Sequence, residues 1–158
     1  MRILGIDPGL QVTGFGLLEA ESDSVICREC GTITTSAGAM ATRLRRIFLG
    51  VQELLERLKP EEVAIEEGFY GRNVKVAMGL GQARGVVLLA CALADCPIVE
   101  YSPREIKLAT VGNGGASKEQ VSFMITSLLR LAEPPSPLDI SDALAVAYCH
   151  LQRRGQRV

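Results

Sequence analysis

The chain has 158 residues, of which 47% are hydrophobic and 22% charged, and its formal net charge is −1. This length is enough for one domain with a full hydrophobic core, and the composition is that of an ordinary soluble globular protein. The near-zero net charge argues against a strongly basic nucleic-acid-binding protein.

Three short strands open the chain, and the tight turns between them predict an antiparallel meander. The first strand is the apolar run "RILGIDPG", which ends at a Pro-Gly turn, and the next two are "TGFGLLEAE" and "SVICRECGTITT". The small polar segment "ESDS" between the second and third strands predicts a hairpin loop.

Helices then alternate with two more strands. Apolar residues recur at helical spacing through "AMATRLRRIFLGVQELLERLKP", and Pro60 ends that helix. A strand "EEVAIEE", a long apolar helix "NVKVAMGLGQARGVVLLACALA" and a strand "PIVEYS" follow. Three further helices are predicted over "PREIKLATVG", "SKEQVSFMITSLLRL" and "LDISDALAVAYCHLQRRG". Ser117 and Gln120 form a capping box at the start of the second of these.

This order of elements predicts an α/β fold in which helices flank a five-stranded mixed sheet. No internal repeat or linker divides the chain. We therefore expect a single domain over residues 1–154, with residues 155–158 as a flexible tail.

The amino-terminal segment predicts a strand and not a signal peptide, because it has no basic start, long apolar stretch and small-residue cleavage site. The most apolar stretch, "GVVLLACALADCPIV", is too short and too punctuated to span a bilayer. We expect a cytoplasmic protein with no membrane partner.

Five cysteines without a secretory signal argue against a disulfide framework. Cys27 and Cys30 form a C-x-x-C pair, which needs two further ligands to hold zinc. Cys149 and His150 are adjacent on a predicted helix and so point in different directions. Strand alternation places Cys27 and Cys30 on opposite faces, and we therefore favour buried or half-buried thiols over a zinc site.

Several acidic residues stand where a chain holds charged groups rigidly against a sheet edge. Asp7 ends the first strand, Glu66 and Glu67 end the fourth, and Asp139 and Asp142 share one face of the first turn of the last helix. Each has an ordinary alternative: Asp7 as a turn former, Asp139 as a helix cap, and Glu66 as a surface acid. Periodicity does not choose between Glu66 and Glu67.

Converging carboxylates have a physical consequence. Two like charges about 4 Å apart repel by about 1 kcal/mol in bulk water and by about 4 kcal/mol at an effective dielectric constant of 20. A cluster of this kind takes up protons or binds cations, and its oxygen ligands suit Mg²⁺ or Mn²⁺. Whether these carboxylates lie close together depends on the fold, which composition does not show.

Six blocks of the sequence resemble the RuvC-type Holliday junction resolvases in order and spacing. They are "ILGIDPGLQVTGFGLL", "AIEEGF", "GQARG", "EYSPREIK", "GNGGASKEQV" and "DISDALAVA", and they extend from residue 2 to about 152. The resemblance implies an RNase H-like fold. It also implies a homodimeric, Mg²⁺-dependent endonuclease that resolves four-way DNA junctions by symmetric paired nicks in recombination and repair.

The resemblance also implies roles for individual residues. The catalytic and metal-binding acids would be Asp7, Glu66, Asp139 and Asp142, holding one or two Mg²⁺ ions, with Mn²⁺ as a substitute. The DNA-binding residues would be Phe69, Arg72, Lys107 and Lys118. For the two lysines, the residues alone favour exposed helix positions, and for Phe69 core packing is an equal alternative.

The resemblance further implies a branch-migration complex of the RuvA and RuvB type as a partner. Part of the long apolar helix would form the dimer seam, with Gly79 and Gly81 allowing close approach. Two other functions remain open: an RNase H-like nuclease acting on another structured nucleic acid, and a junction-binding protein that does not cut. An ATPase of the actin and Hsp70 type also opens with such a strand and hairpin, but it needs two lobes, so we expect no nucleotide partner.

Overall fold

Three antiparallel strands form the amino-terminal part of the sheet. A computed structural model describes residues 1–21, 24–68 and 73–155 of the chain. It confirms the predicted meander, with strands β1 (Arg2–Asp7), β2 (Val12–Ala20) and β3 (Val25–Thr34). The hydroxyl of Thr13 closes the turn after β1, because it donates to the Gly9 carbonyl at 2.8 Å and accepts from the Gly9 N–H at 3.2 Å. These hydrogen bonds fix the path of the chain just beyond Asp7.

Two parallel strands extend the sheet on the other side of β1. β4 (Glu62–Glu66) pairs with β1, and β5 (Ile98–Tyr101) pairs with β4. The strand order is β3-β2-β1-β4-β5. The predicted five-stranded mixed sheet is therefore confirmed.

Helices cover both faces of the sheet, so its central strands are buried on both sides. The described helices are α1 (Met40–Leu58), α2 (Val74–Leu93), α3 (Pro103–Val111), α4 (Lys118–Leu128) and α5 (Leu138–Gly155). α1 and α2 pack on one face, around a core that includes Ile6, Val51 and Val87. α3, α4 and α5 pack on the other face, around a core that includes Ile3 and Leu144.

Capping boxes fix where α3 and α4 begin. At α4, the Ser117 hydroxyl accepts the Gln120 N–H while the Gln120 side chain accepts the Ser117 N–H, which confirms the predicted box. Ser102 and Glu105 form the same arrangement at α3. Because these bonds satisfy backbone donors at the helix starts, they hold Lys118, the first residue of α4, in a defined place.

α5 lies unusually close to β1 and β2, where the sheet carries glycines. A Cβ atom added at Gly5 would lie 1.9 Å from the Ala143 carbonyl oxygen, and one at Gly14 would lie 2.1 Å from the Asp139 carbonyl oxygen. Gly16 is closely covered by the same helix. Only residues without a side chain allow this approach, so the glycines determine where α5 and its acids lie.

α2 is apolar enough, and with 20 residues long enough, to cross a membrane by length and composition alone. The apolar segment thus begins at Val74, earlier than the stretch judged too short from the sequence. Core helices of soluble proteins can have the same length and composition, so one such helix is weak evidence for a span. In this fold one side of α2 packs on the sheet through Ala83, Val87 and Ala90.

The C-x-x-C pair lies on one face of β3, which corrects the expectation that alternation separates its two thiols. Cys27 pairs with Leu18 and Cys30 pairs with Gly16, so Arg28 is an extra residue in a β-bulge. The bulge shifts the alternation by one residue and returns both thiols to the same side. Burial and the neighbouring Cys30 raise the pKa of Cys27 to about 12, so this thiol stays protonated at neutral pH.

His150 is buried in a polar chain on the α5 side of the sheet. Its Nδ1 is 2.7 Å from the Tyr101 hydroxyl, and its Nε2 is 2.6 Å from the Glu62 carboxylate. Arg154 also pairs with Glu62. His150 thus forms hydrogen bonds on the face of the sheet that α5 covers, while the neighbouring Cys149 packs in the apolar core.

We predict that Gly5→Ala lowers the free energy of unfolding by about 2–3 kcal/mol, because the new methyl group forces α5 away from the sheet. Urea denaturation measures this. Gly115→Ala is the matched control, since its Cβ would meet Asn113 Oδ1 at an ordinary 3.5 Å, and its effect should stay within about 0.5 kcal/mol. Equal effects of the two substitutions would contradict the packing argument.

Candidate active site

Two acids leave the sheet side by side at the ends of neighbouring parallel strands. Ile6 of β1 is in register with Ile65 of β4, so the next residues, Asp7 and Glu66, stand at the same edge. By alternation both side chains point to the face that α5 covers. Glu67 follows beyond the end of β4 and is exposed.

A third acid comes from α5. Asp142 lies in the second turn of the helix, and its side chain is only 12% exposed. Asp139 lies one turn earlier and is half-buried, with its backbone against Gly14 of β2. The close approach of α5 to the glycines therefore brings its first turns to the end of β1.

These side chains surround one cavity of about 480 Å³. Asp7, Glu66 and Asp142, here called the acid centre, line it together with Lys107 of α3 and Lys118 of α4. The other lining residues are Pro8, Glu67, Gly68, Leu80, Arg84, Pro103, Ile106 and Val121. Asp139 is not among them.

The acids repel one another strongly. Burial raises the pKa of Asp7 to about 8, with further increases from the charges of Asp142, Glu66 and Asp139, while the charge of Lys118 opposes them. Burial, followed by the charge of Asp142, also raises the pKa of Glu66. Without a bound cation, the acid centre thus holds a proton near neutral pH.

Lys118 partly neutralises the acid centre. Its Nζ donates to Asp142 Oδ2 at 2.5 Å. Burial lowers the pKa of Lys118, but the hydrogen bond to Asp142 and the charges of Asp142, Asp7 and Glu66 outweigh it, so the net shift is upward. The ammonium group therefore remains charged among the carboxylates.

The donor set fits a hard divalent cation in chemical type. All its candidate ligands are carboxylate oxygens, which Mg²⁺ and Mn²⁺ prefer. Within residues 1–21, 24–68 and 73–155, no three His, Cys, Asp or Glu side chains are arranged to hold one metal ion as they stand. The proton on Asp7 and the ammonium of Lys118 offset the same negative charge that a divalent cation would offset.

The structure brings together most of the site residues expected from the sequence. Asp7, Glu66, Asp142, Lys107 and Lys118 meet at the cavity, and Asp139 stands beside it, near enough for its charge to affect Asp7. Phe69 and Arg72 lie outside the described residues.

The sequence does not predict a role at the site for two residues, Arg84 and Thr13. Arg84 lines the cavity from α2, although the motif "GQARG" that contains it had carried no chemical role. Thr13 holds the turn after Asp7. The only local signal for Thr13 is the general tendency of Ser and Thr hydroxyls to bond nearby backbone, and the contact of Arg84 depends on tertiary structure.

Most of the chain matches one protein family. The family model described as "Crossover junction endodeoxyribonuclease RuvC" matches residues 3–150. The chain belongs to the RuvC family. A RuvC relative from Moorella thermoacetica is 50% identical over 151 residues, which cover 95% of this chain and 90% of the relative. A RuvC relative from Brevibacillus brevis is 46% identical over 155 residues, with coverage of 98% and 93%.

Solved RuvC structures have the same fold. Thermus thermophilus RuvC is 37% identical, with a TM-score of 0.88 over 98% of this chain and 97% of that one. The same protein in complex with a Holliday junction substrate is 34% identical, with a TM-score of 0.89 and coverage of 99% and 96%. The yeast mitochondrial resolvase Ydc2, at 13% identity and a TM-score of 0.74, shares the fold alone. The expected RNase H-like fold and the expected endodeoxyribonuclease family are therefore confirmed, and RuvC nucleases depend on divalent metal ions.

We predict that, in a chelator, the free energy of unfolding of the wild-type chain falls from about pH 4 to about pH 8. In this window the folded chain keeps a proton on Asp7 that the unfolded chain has lost, so raising the pH favours unfolding. Asp7→Asn removes this penalty, so its stability relative to the wild type should be greater at pH 8 than at pH 5 by about 3 kcal/mol, at about 1.4 kcal/mol per pKa unit.

Urea denaturation at both pH values measures the difference between variant and wild type. Glu56→Gln, which changes an exposed acid of α1, is the control and should show no such pH dependence. A constant difference between Asp7→Asn and the wild type at pH 5 and pH 8 would contradict the proposed burial of charge.

Proposed function

We propose that this chain cuts four-way DNA junctions by paired, symmetric nicks at opposed strands, in recombination and repair. One observation carries the proposal: acids from β1, β4 and α5 meet at one cavity with two lysines. Such a site combines ligands for a divalent cation with positive groups for a phosphate. Its position in a RuvC-family chain supports a phosphodiester of junction DNA as the substrate.

Asp7, Glu66, Asp139 and Asp142 are the proposed ligands of one or two Mg²⁺ ions, with Mn²⁺ able to substitute. When bound, such ions make a water molecule acidic enough to attack phosphorus and stabilise the charge on the leaving oxygen. Asp139 does not line the cavity, but its charge raises the pKa of Asp7, and this proximity supports it as a further proposed ligand.

The protein groups prepare the site in a defined way. As ligands, Asp7 would be ionised, and Asp142 would contact the ion in place of the Lys118 ammonium. Lys118 would then be available to neutralise a phosphate oxygen, and Lys107 lines the same cavity. Hydrolysis that breaks the bond to the 3′ oxygen leaves a 5′-phosphate and a 3′-hydroxyl.

Support for the junction as substrate comes from a relative. Thermus thermophilus RuvC, which matches 99% of this chain at 34% identity, has been solved in complex with a Holliday junction substrate. We propose that Phe69 packs against an unstacked base near the junction centre and that Arg72 contacts the DNA backbone. We also propose a branch-migration complex of the RuvA and RuvB type as partner, and a cytoplasmic location.

We predict that, with Mg²⁺, the wild-type chain makes paired nicks in a mobile four-way junction and leaves linear duplex uncut. Asp7→Asn should lower the cleavage rate at least about 100-fold, because it removes a proposed ligand, yet keep junction affinity. Gel assays of cutting and binding on both DNAs measure this. Equal cutting of duplex would favour a nuclease for another structured nucleic acid, and binding without cutting would favour a non-cutting junction protein. Loss of both activities in Asp7→Asn would indicate a folding role.

An exposed apolar stripe on α2 supports a homodimer. Its large side chains are Val74, Met78, Leu89 and Leu93, which are 70%, 62%, 51% and 64% exposed. Gly81 and Gly85 lie between them, and a Cβ at either would meet nothing within 4 Å. A stripe of this kind, with small residues at its centre, suits close contact with a second copy of the helix.

One detail of the expected seam is corrected. Gly79 packs within the chain, where a Cβ would lie 3.2 Å from Leu10, so it does not face a partner. Gly81 and Gly85 are the glycines available to the seam. Two sites related by a two-fold axis would account for two nicks at opposed strands.

We predict that Leu89→Glu converts a dimer into a monomer, because it places a charge in the apolar seam. Light scattering should find twice the 17.0 kDa of one chain for the wild type and 17.0 kDa for the variant. Phe123→Glu is the matched control, since Phe123 on α4 is 66% exposed and lies on another helix. A wild-type monomer, or a Leu89→Glu dimer, would contradict the proposed seam.

A further inference from the structure

Arg84 lines the cavity of the acid centre from the opposite face of the sheet to the two lysines. It lies on α2, which packs on one face of the sheet, whereas Lys107 and Lys118 lie on α3 and α4 on the other face. All three side chains line the same cavity. Positive groups therefore flank the acid centre on two sides.

The guanidinium of Arg84 is only partly satisfied. Its side chain is 17% exposed, and one terminal nitrogen donates to the Glu100 carboxylate on β5. Its Nε is buried and has no hydrogen-bond partner among the residues that the structure describes. A buried N–H donor without an acceptor is unfavourable. The N–H groups of a guanidinium can donate two parallel hydrogen bonds to one oxyanion, which would satisfy such a donor.

The backbone beside Arg84 leaves it room at the edge of the cavity. A Cβ at Gly68 would lie 3.6 Å from Arg84 Cδ and 3.7 Å from its Nε, which is ordinary contact. The backbone at Gly68 thus passes beside the guanidinium, and Gly68 itself adds no side chain there.

We propose that Arg84 binds a phosphate group of the DNA strand that crosses the acid centre, on the side opposite Lys107 and Lys118. Glu100 orients the guanidinium, and the phosphate fills the donors that Glu100 leaves open. A strand held at both sides of the acid centre is fixed in direction as well as position. This inference rests on the proposed function, because it requires DNA at the site.

A purely structural role makes a different prediction. If Arg84 only ties α2 to β5 through Glu100, removing either charge should have the same effect on the protein. If Arg84 binds phosphate, removing Arg84 weakens DNA binding, whereas Glu100→Gln keeps it or strengthens it by removing a negative charge near the DNA.

The test is a titration of a fluorescein-labelled four-way junction, followed by anisotropy at several NaCl concentrations. All proteins carry Asp7→Asn so that the DNA stays intact. We expect Arg84→Met, which keeps an apolar stem, to weaken binding about tenfold. The slope of log K against log[NaCl] should become shallower by about 0.9, the loss of one phosphate contact. Arg84→Lys should restore that slope.

Arg57→Met is the matched control, because Arg57 of α1 pairs with Glu29 of β3 far from the cavity, and it should leave the slope unchanged. Melting temperatures verify that each variant is folded. An unchanged slope in Arg84→Met, or equal losses in Arg84→Met and Glu100→Gln, would overturn the inference. Failure of the parent protein to prefer the junction over duplex would instead count against the proposed function.

Discussion

The contact between α5 and the sheet is the constraint on which the site depends. β1 and β2 carry glycines where the helix crosses, and the helix backbone occupies the space that side chains would fill. The same contact closes the core on that face and brings Asp142 to the end of β1, beside Asp7. Because interiors are close-packed, the acids cannot be moved without disturbing the core. Their placement is therefore a consequence of packing and not of local loop structure.

The arrangement is costly in charge and is balanced in more than one way. Three carboxylates at one cavity would repel each other if all were ionised. In the protein alone, a proton on Asp7 and the ammonium of Lys118 reduce this repulsion. Under the proposed function, a divalent cation would replace the proton on Asp7, and Lys118 would exchange its contact with Asp142 for one with a DNA phosphate. The charges that would bind metal would then be the same charges that lower folding stability, as is common at functional sites.

Local patterns predicted most of the fold but only part of the site. Strand and helix periodicity, Pro60 and the Ser117 cap were sufficient for the element order, because each is a signal within a few residues. They could not choose between Glu66 and Glu67; the pairing of β4 with β1 places Glu66 beside Asp7. The bulge in β3 was missed for the same reason, since an extra residue is visible only against a partner strand.

α2 shows how one helix can serve several needs without a conventional amphipathic pattern. Its buried side, with Ala83 and Val87, completes the core, while its exposed side carries Leu89 and the open Gly81. Arg84 lies between the two sides and reaches the cavity. An apolar helix that is exposed on one side therefore need not be a membrane span. If the exposed side joins two copies, the same rigid helix links the seam to the edge of each acid centre, so dimerisation also sets how two sites face one junction.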